Sequence, residues 1–400
     1  MKGLQGCMGR LFGSALLFWL GLTLLLPTLP LYLDEVVGAS DAQIGWVIGA
    51  FAVGMLLFRE PVGRLTDARG RKLGIQIGLL VLATAPLGYL WLQGIPALLV
   101  LRAYHGLSVA AFATGYLALV TDLAPAAQRG QVLGYMTLAQ PVGVALGPAI
   151  GGFLADQGQY TAIFTLSALL GGLSWGLCTW GVQEPQRARA ASSLGMSWGL
   201  LLTPRLRTPA LVFLLVGLLF GSLQIFIPLF IKRQGIPMNP GLFYTAVAVA
   251  SFSVRLALGQ VADRWGRGRL ITVSLACYWL AMVTLWWAQG VPWLVLAGVL
   301  EGMGAGLLIP GMAALIADRS YAQERGRSFG LCLGGFDLGI AMAGPLLGNL
   351  AVGLGLRQVF GWLAGVALLA LGVYILWIGK NPRDSFAFAL RNGPDAYRIS

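Results

Sequence analysis

Residues 134–152 read GYMTLAQPVGVALGPAIGG, an apolar stretch that contains a repeated pattern of glycine and proline. The pattern is Gly134-x8-Gly143-x3-Gly147-Pro148-x2-Gly151-Gly152. Glycines four residues apart lie on one face of a helix and let a neighbouring backbone approach closely. Because proline interrupts the hydrogen bonds of a helix, we expect a bend at Pro148. The stretch is therefore predicted to be a transmembrane helix with one close-packed glycine face.

The composition of the whole chain is that of a membrane protein. It has 400 residues, of which 57% are hydrophobic and 10% charged, whereas soluble domains carry about 25% charged residues. A transmembrane helix needs about 20 apolar residues. Twelve runs of this kind are predicted, at 11–33, 43–63, 73–92, 96–121, 131–153, 160–181, 209–231, 241–261, 270–289, 292–317, 327–348 and 357–379. They leave no room for a separate soluble domain.

The distribution of basic residues predicts the topology. Most of the 27 lysines and arginines fall in loops that share one side of the membrane if the N-terminus is cytosolic. Positive residues are retained on the cytosolic side, so both termini are expected in the cytosol. The net charge of +12 is then explained by topology and by attraction to anionic lipid, and not by binding of nucleic acid.

The first apolar run is expected to be a transmembrane helix and not a cleaved signal. It is about 20 residues long, which exceeds the apolar core of a signal peptide, and no small-residue cleavage site follows it. Pro27 and Pro30, near its outer end, predict a bent or broken helix.

The two halves of the chain repeat each other. A shift of 196 residues aligns Arg59 with Arg255, Asp67 with Asp263, Gly106 with Gly302, Asp122 with Asp318, and Arg129 with Arg325. The repeat predicts six-helix halves at 1–182 and 209–379, joined by a cytosolic linker, 183–208, and followed by a cytosolic tail, 380–400. Because six is an even number, both halves have the same orientation, and we expect a pseudo-two-fold axis along the membrane normal.

The charged segment after the second run carries a family resemblance. Residues 63–72 read GRLTDARGRK and resemble the loop between helices two and three of the major facilitator superfamily; residues 259–267 repeat it. The glycine pattern at 134–152 resembles the helix-five signature of the drug:proton antiporters of that superfamily. The resemblance covers the chain to about residue 380. It implies an all-α fold and transport by alternating access, with the proton gradient as the energy source and no cofactor.

The resemblance also implies that charged clusters latch the two halves together on the cytosolic face. The predicted gate residues are Gly63, Asp67, Gly70, Arg71, Lys72, Asp122, Arg129, Asp263, Arg267, Asp318 and Arg325. Acids at helix ends can cap a neighbouring helix and pair with a cation. The alternative is a charged turn held at the lipid surface without a gating role.

Ionisable residues inside the membrane are candidates for proton coupling, because each is costly there. Arg102 and His105 lie three residues apart on one helix face, and His105 occupies a position that is often glutamine in the family. Glu301, the counterpart of His105, and Asp337 are both predicted near the middle of the bilayer. Asp337 ranks slightly first as the proton carrier, because a second copy of the glycine pattern begins beside it at Gly339. Burial favours the protonated form of a carboxyl group, which suits a proton carrier. Alternatively, one of these acids is permanently paired, for example with Arg102, and only holds helices together.

Few polar groups are predicted to line the substrate cavity. The first run offers Thr23 as a polar group one turn after Trp19 but no charge, and the seventh run offers Gln224 and Phe226, again without a charge. An apolar, aromatic cavity suits a neutral or weakly amphipathic compound.

These observations favour a proton-coupled exporter of small lipophilic or amphipathic compounds in a bacterial inner membrane. Its expected partners are the bilayer, protons and the substrate, and the expected state is a monomer. One alternative is a symporter that imports a sugar or an organic acid, and another is a receptor or scaffold that transports nothing. The sequence contains no nucleotide-binding loop, catalytic triad or metal-binding cluster, so an enzyme is not expected. Packing is the expected role of the four cysteines.

Overall fold

A computed structural model describes residues 2–125, 128–184, 198–258, 266–321, 324–391 and 393–399 of the chain. Helices dominate this part of the chain, and it contains no β-strand. The α-helices are α1 (Lys2–Thr23), α2 (Leu25–Glu35), α3 (Asp41–Arg69), α4 (Arg71–Gly88), α5 (Ile95–Leu123), α6 (Arg129–Thr137), α7 (Ala139–Asp156), α8 (Tyr160–Gly181), α9 (Pro204–Arg233), α10 (Pro240–Leu258), α11 (Arg267–Trp286), α12 (Val291–Asp318), α13 (Arg325–Leu354), α14 (Leu356–Trp377) and α15 (Pro382–Arg391).

Eleven helical stretches among the described residues are long and apolar enough to cross a membrane, and two of them combine α1 with α2 and α6 with α7. Helix α4 corresponds to the remaining predicted span, 73–92; it is 18 residues long, and its first turn carries Arg71 and Lys72. The prediction of an all-α integral membrane protein with twelve transmembrane helices is confirmed.

The chain separates into two compact units. The first comprises Met1–Leu194 together with Asn239–Thr245, and the second comprises Gly195–Met238 and Ala246–Ser400. Inside the first unit, α1 packs on α7 and α4 packs on α5 and α8. Inside the second unit, α9 packs on α13 and α11 packs on α12 and α14. The internal packing of one unit thus repeats that of the other, as the duplicated sequence predicts.

Two transmembrane helices are interrupted, and a proline follows each interruption. Helix α1 ends at Thr23, four residues before Pro27, and α6 ends at Thr137, four residues before Pro141. Proline has no N–H to bond the carbonyl four residues earlier, so the helix stops at that carbonyl. The predicted break of the first helix is confirmed. In the fifth transmembrane helix the interruption lies at Leu138, whereas α7 continues through Pro148.

The residues after α14 contain an element that the sequence analysis missed. Within the segment 380–400, predicted as a tail, residues Pro382–Arg391 form α15, which packs on α11 and α14. Asn381 begins it, because its side chain accepts a hydrogen bond from the backbone N–H of Asp384 (2.8 Å), the usual cap of a helix N-terminus.

Candidate functional site

The glycine face of α7 packs directly on the backbone of α1. An added Cβ at Gly143 would lie 2.9 Å from the backbone nitrogen of Leu20, and one at Gly147 would lie 2.8 Å from the Leu20 carbonyl oxygen. At Gly151 it would meet the backbone of Leu24. The helices approach this closely only because side chains are missing here, so the predicted close-packed face exists at these three positions.

Two other glycines of the pattern are placed differently. Gly134 is exposed, with no atom within 4 Å of an added Cβ. It lies in α6, before the interruption at Leu138, so it does not continue the face of α7, and its assignment to the packing face was wrong. Gly152 lies next to Asn239 and Gly241, which belong to the same compact unit.

The residues predicted to line a substrate cavity are largely packing residues. Thr23 is 3% exposed, and its hydroxyl donates to the carbonyl oxygens of Gly143 (2.9 Å) and Trp19 (2.7 Å). Phe226 is fully buried in the second unit. These two cavity predictions were wrong, because a polar group or an aromatic ring inside an apolar helix also serves helix packing. Trp19 and Gln224 are partly exposed in their respective units.

The predicted gate residues of the first unit come together where α3 ends and α4 begins. Arg71 forms ion pairs with Asp67, one turn earlier, and with Asp122 at the end of α5 (Nε to Oδ2, 3.7 Å). We call Asp67, Arg71 and Asp122 the first charged cluster. Gly70 is the single residue between the helices, and its φ of +117° lies in the region that favours glycine. Gly63 faces open space, so close packing does not explain it.

One acid that the sequence analysis missed lies beside the first charged cluster, at the start of α4. The carboxylate of Glu184 accepts hydrogen bonds from the backbone N–H groups of Arg71 (2.5 Å) and Lys72 (3.0 Å), and so caps the N-terminus of α4. The Lys72 ammonium group donates to the carbonyl oxygens of Thr179 (2.8 Å) and Val182 (2.7 Å) at the end of α8. Glu184 falls in the predicted linker, where a lone acid gives no recognisable signal.

The second unit holds a related pair, Arg267 and Asp318, which form an ion pair between α11 and α12. We call these two residues the second charged cluster. Asp263 lies outside the described residues, and so does the side chain of Arg129. Arg325 is exposed and makes no ion pair within the described part of the chain. Its neighbour Glu324 pairs with Arg205 (2.7 Å), and the gating role of Arg325 stays a prediction.

A buried cation lies in α5 of the first unit. Arg102 is 5% exposed and His105 is fully buried. An Arg102 Nη atom lies 3.4 Å from Nδ1 of His105, and the guanidinium stands 4.4 Å from the centre of the Phe51 ring. Because Arg102 can only donate, Nδ1 accepts and His105 carries its proton on Nε2. Tyr89 completes what we call the Arg102 cluster, with its ring 6.3 Å from that of His105.

Two polar atoms of the Arg102 cluster have no hydrogen-bond partner among the described residues. Arg102 Nε and His105 Nε2 are both buried and make no hydrogen bond there. Those residues also supply no carboxylate that forms an ion pair with Arg102. The cluster therefore presents donors and a positive charge without a compensating acceptor.

The two predicted midplane acids are both buried in the second unit. Glu301 is 1% exposed and lies ten residues into α12, about 15 Å from its start at 1.5 Å per residue. Neither of its carboxylate oxygens has a hydrogen-bond partner among the described residues. Asp337, on α13, is 3% exposed and takes part in at least one polar or electrostatic contact.

The comparison with known protein families decides which class of protein this geometry belongs to. The sequence matches the profile of the Major Facilitator Superfamily over residues 11–291 and 261–394. The chain belongs to the major facilitator superfamily. Proteins of this superfamily are transporters and not enzymes. No group of three or more His, Cys, Asp or Glu side chains in the described ranges is placed to hold a metal ion.

Three similar proteins illustrate the range within the superfamily. The multidrug resistance protein MdtG of Salmonella paratyphi A is 28% identical over 88% of this chain and 91% of its own length. The quinolone resistance protein NorA of Staphylococcus aureus is 27% identical over 51% of this chain and 54% of its own. The crystal structure of the human organic anion transporter MFSD10 aligns with a TM-score of 0.68 at 21% identity, over 92% of this chain and 99% of that one.

Proposed function

We propose that this superfamily member exports small lipophilic or amphipathic compounds and couples their export to the entry of protons. The observation that carries the proposal is Glu301, a buried carboxyl group in mid-helix whose oxygens have no hydrogen-bond partner among the described residues. The resistance proteins MdtG and NorA, similar along the sequence, support export as the direction.

Glu301 is suited to take up and release a proton. An ionised carboxylate without hydrogen bonds in a medium of low dielectric costs several kcal/mol, so the neutral form is favoured while the group is enclosed. Contact with water stabilises the charged form and releases the proton. A change of exposure during transport would therefore change the protonation of Glu301, which makes it the first candidate for the proton carrier, ahead of Asp337.

The packing of α7 on α1 supports export without leakage. Backbone atoms of the two helices are in direct contact at Gly143, Gly147 and Gly151, so little space remains between them for water or ions. We propose that this contact keeps one path through the first unit closed. The proposal includes a bacterial inner-membrane location, cytosolic termini and a monomeric state.

Everted membrane vesicles test the function directly. Vesicles with an acid interior that contain the protein are expected to accumulate the fluorescent quinolone norfloxacin or the dye ethidium, and to release it when a protonophore collapses the gradient. Vesicles without the protein are the control. Accumulation that persists after addition of the protonophore, or no accumulation of either compound, would contradict proton-coupled export.

A second candidate function is the transport of organic anions. The Arg102 cluster favours it, because a buried cation with unpartnered donors and no carboxylate partner among the described residues is compensated by an anionic group of a ligand. The organic anion transporter MFSD10, whose fold is similar, supports the same class. An organic acid also fits the alternative of a symporter that imports its substrate.

The two candidates are distinguished by a matched pair of ligands. Under the second candidate, 2-naphthoate is expected to raise the unfolding temperature of the purified protein, whereas the neutral 2-naphthamide is not. The preference should disappear in Arg102→Gln and persist in Arg102→Lys, because lysine keeps the charge. Equal effects of both ligands on the wild-type protein would refute an anion site at Arg102.

A further inference from the structure

The residues that follow α15 reach a fully buried arginine at the end of α12. Arg319 is 0% exposed, and its guanidinium is held by the carboxylate of Asp395, with Nη2 to Oδ1 at 2.7 Å and Nε to Oδ2 at 2.8 Å. The ring of Tyr397 covers it at 5.2 Å. Both charged groups are enclosed, with side chains 1% and 7% exposed. A buried pair of this kind is strongly destabilised when one partner is removed.

Arg319 also joins the ends of three helices of the second unit. It donates to the carbonyl oxygen of Ile378, after α14 (2.9 Å), and to that of Arg205, at the start of α9 (3.2 Å). Arg205 in turn donates to the carbonyl oxygen of Arg319 (3.2 Å). Asp395 therefore supplies the negative charge at a junction of α9, α12 and α14.

The same segment touches the second charged cluster. The backbone N–H of Ile399 donates to the carbonyl oxygen of Asp318 (2.9 Å), the residue whose side chain pairs with Arg267. Helix α15 contacts α11, the helix that carries the other partner, because the carbonyl oxygen of Leu390 accepts from the side chain of Arg269 (2.9 Å), two residues after Arg267. Both helices of the Arg267–Asp318 pair are thus in contact with residues 382–391 or 393–399.

In the first unit, a single side chain holds the start of the helix beside the charged pair. There Glu184 caps the start of α4, beside the Asp67–Arg71 pair. The position that corresponds to Glu184 under the 196-residue repeat is Lys380, and the position that corresponds to Arg319 is Leu123. The second unit therefore lacks the acidic cap and instead carries a buried cation that needs an acid, which residue 395 provides.

We propose that residues 382–391 and 393–399 form a brace that positions the second charged cluster, with Asp395 and Ile399 as its positioning residues. While the brace is docked, the end of α12 is fixed and Asp318 is held opposite Arg267. When it is released, the end of α12 loosens, the pair weakens, and the conformational step that depends on it slows. The docking itself needs no assumption about substrate; only the effect on transport rests on the proposed function.

Hydrogen exchange of the purified full-length protein tests the brace without any substrate. Asp395→Asn keeps the shape of the side chain and removes its charge, and it is expected to increase exchange in residues 312–321 and 393–399. Ile399→Pro removes the N–H group that donates to the carbonyl oxygen of Asp318 and leaves both residues of the Arg319–Asp395 ion pair in place. It should also increase exchange in residues 312–321. Arg398→Ala changes an exposed side chain of the same segment and should change neither peptide.

Transport provides the second readout. In both brace variants we expect the turnover of norfloxacin to fall on the order of tenfold, within the usual range of coupling between sites, with its binding unchanged, and Asp395→Glu to restore part of the rate. Unchanged exchange in 312–321 would refute the brace. Increased exchange with a normal turnover would refute its link to the gate. Wild-type protein that transports nothing would count against the proposed function alone, because the exchange result still decides the brace.

Discussion

Replacement of Gly147 by alanine should destabilise the protein, whereas the same replacement at Gly134 should not. Both glycines belong to one sequence pattern and both lie in helices. Only Gly147 has backbone atoms of α1 against the position of a Cβ, at 2.8 Å from the carbonyl oxygen of Leu20 and 3.1 Å from the nitrogen of Leu24. The added methyl group would also strike the Thr23 hydroxyl.

The expected magnitude follows from three contributions. Overpacking of a tight interface costs about 1–3 kcal/mol. Displacement of Thr23 weakens its hydrogen bond to Gly143 (2.9 Å), which is worth about 1 kcal/mol. Alanine recovers about 1 kcal/mol of helix propensity over glycine. Gly147→Ala should therefore lose about 1–3 kcal/mol, while Gly134→Ala, with nothing within 4 Å, keeps only the favourable contribution.

Thermal unfolding with a thiol-reactive dye measures both variants. All four cysteines are buried in the folded protein, so the dye reports their exposure on unfolding. We expect Gly147→Ala to unfold at a lower temperature than the wild-type protein and Gly134→Ala at the same or a higher one. Unfolding of the two variants at equal temperatures would refute the argument that the α1–α7 contact distinguishes these glycines.

Three further variants test the charged and polar groups. Asp67→Asn removes one of the two carboxylates at Arg71, and in vesicles we expect norfloxacin transport to fall severely at normal expression. Stability should change little, because such a partly exposed pair adds less than about 1 kcal/mol. Unchanged transport would mean that the first charged cluster acts only as a topology signal. Glu301→Gln should abolish accumulation driven by the proton gradient but preserve exchange of labelled for unlabelled norfloxacin, which needs no net proton movement; retained accumulation would mean that the proton travels elsewhere. Thr23→Val keeps the side-chain volume and removes the hydrogen bond to Gly143, so the unfolding temperature should fall. The preference for 2-naphthoate over 2-naphthamide should stay unchanged, and an altered preference would mean that Thr23 contacts the ligand.

The fold was predictable because its signals are strong and repeated. Long apolar runs can only be satisfied as helices in a bilayer, since every backbone polar group must be bonded within the segment. The helix bounds differ from the predicted runs by up to nine residues, at the start of α1, whereas α8, at Tyr160–Gly181, agrees with the predicted run 160–181. The sequence repeat added the organisation into two halves, which the internal packing of the units reproduces.

The points that the sequence could not decide depend on neighbours that are distant along the chain. An interruption precedes Pro141, whereas α7 continues through Pro148, although both prolines lie in the same apolar stretch. Thr23 was predicted to face a cavity, but its partner is a carbonyl 120 residues away. Glu184 is one acid in a linker until the fold places it at the start of α4.

The candidate proton carrier was recognised from its position, but its ranking required the structure. Glu301 and Asp337 are both acids in mid-helix, and the sequence ranks Asp337 slightly first because the second copy of the glycine pattern begins beside it, at Gly339. Burial is also similar, at 1% and 3% exposure. The difference lies in the surroundings, because both oxygens of Glu301 lack a hydrogen bond among the described residues, whereas only Oδ2 of Asp337 does and its carboxylate takes part in a contact.

The one-residue connection at Gly70 has a mechanical consequence. Helices α3 and α4 are 29 and 18 residues long, and a link of one residue between them contains no slack. A displacement of the end of α3 must therefore move the start of α4 as well, so the positions of these two helix ends are coupled. A larger residue at position 70 would need the positive φ and would push its Cβ against the Glu184 carboxylate, 2.7 Å away. The coupling between the end of α3 and the start of α4 would then weaken.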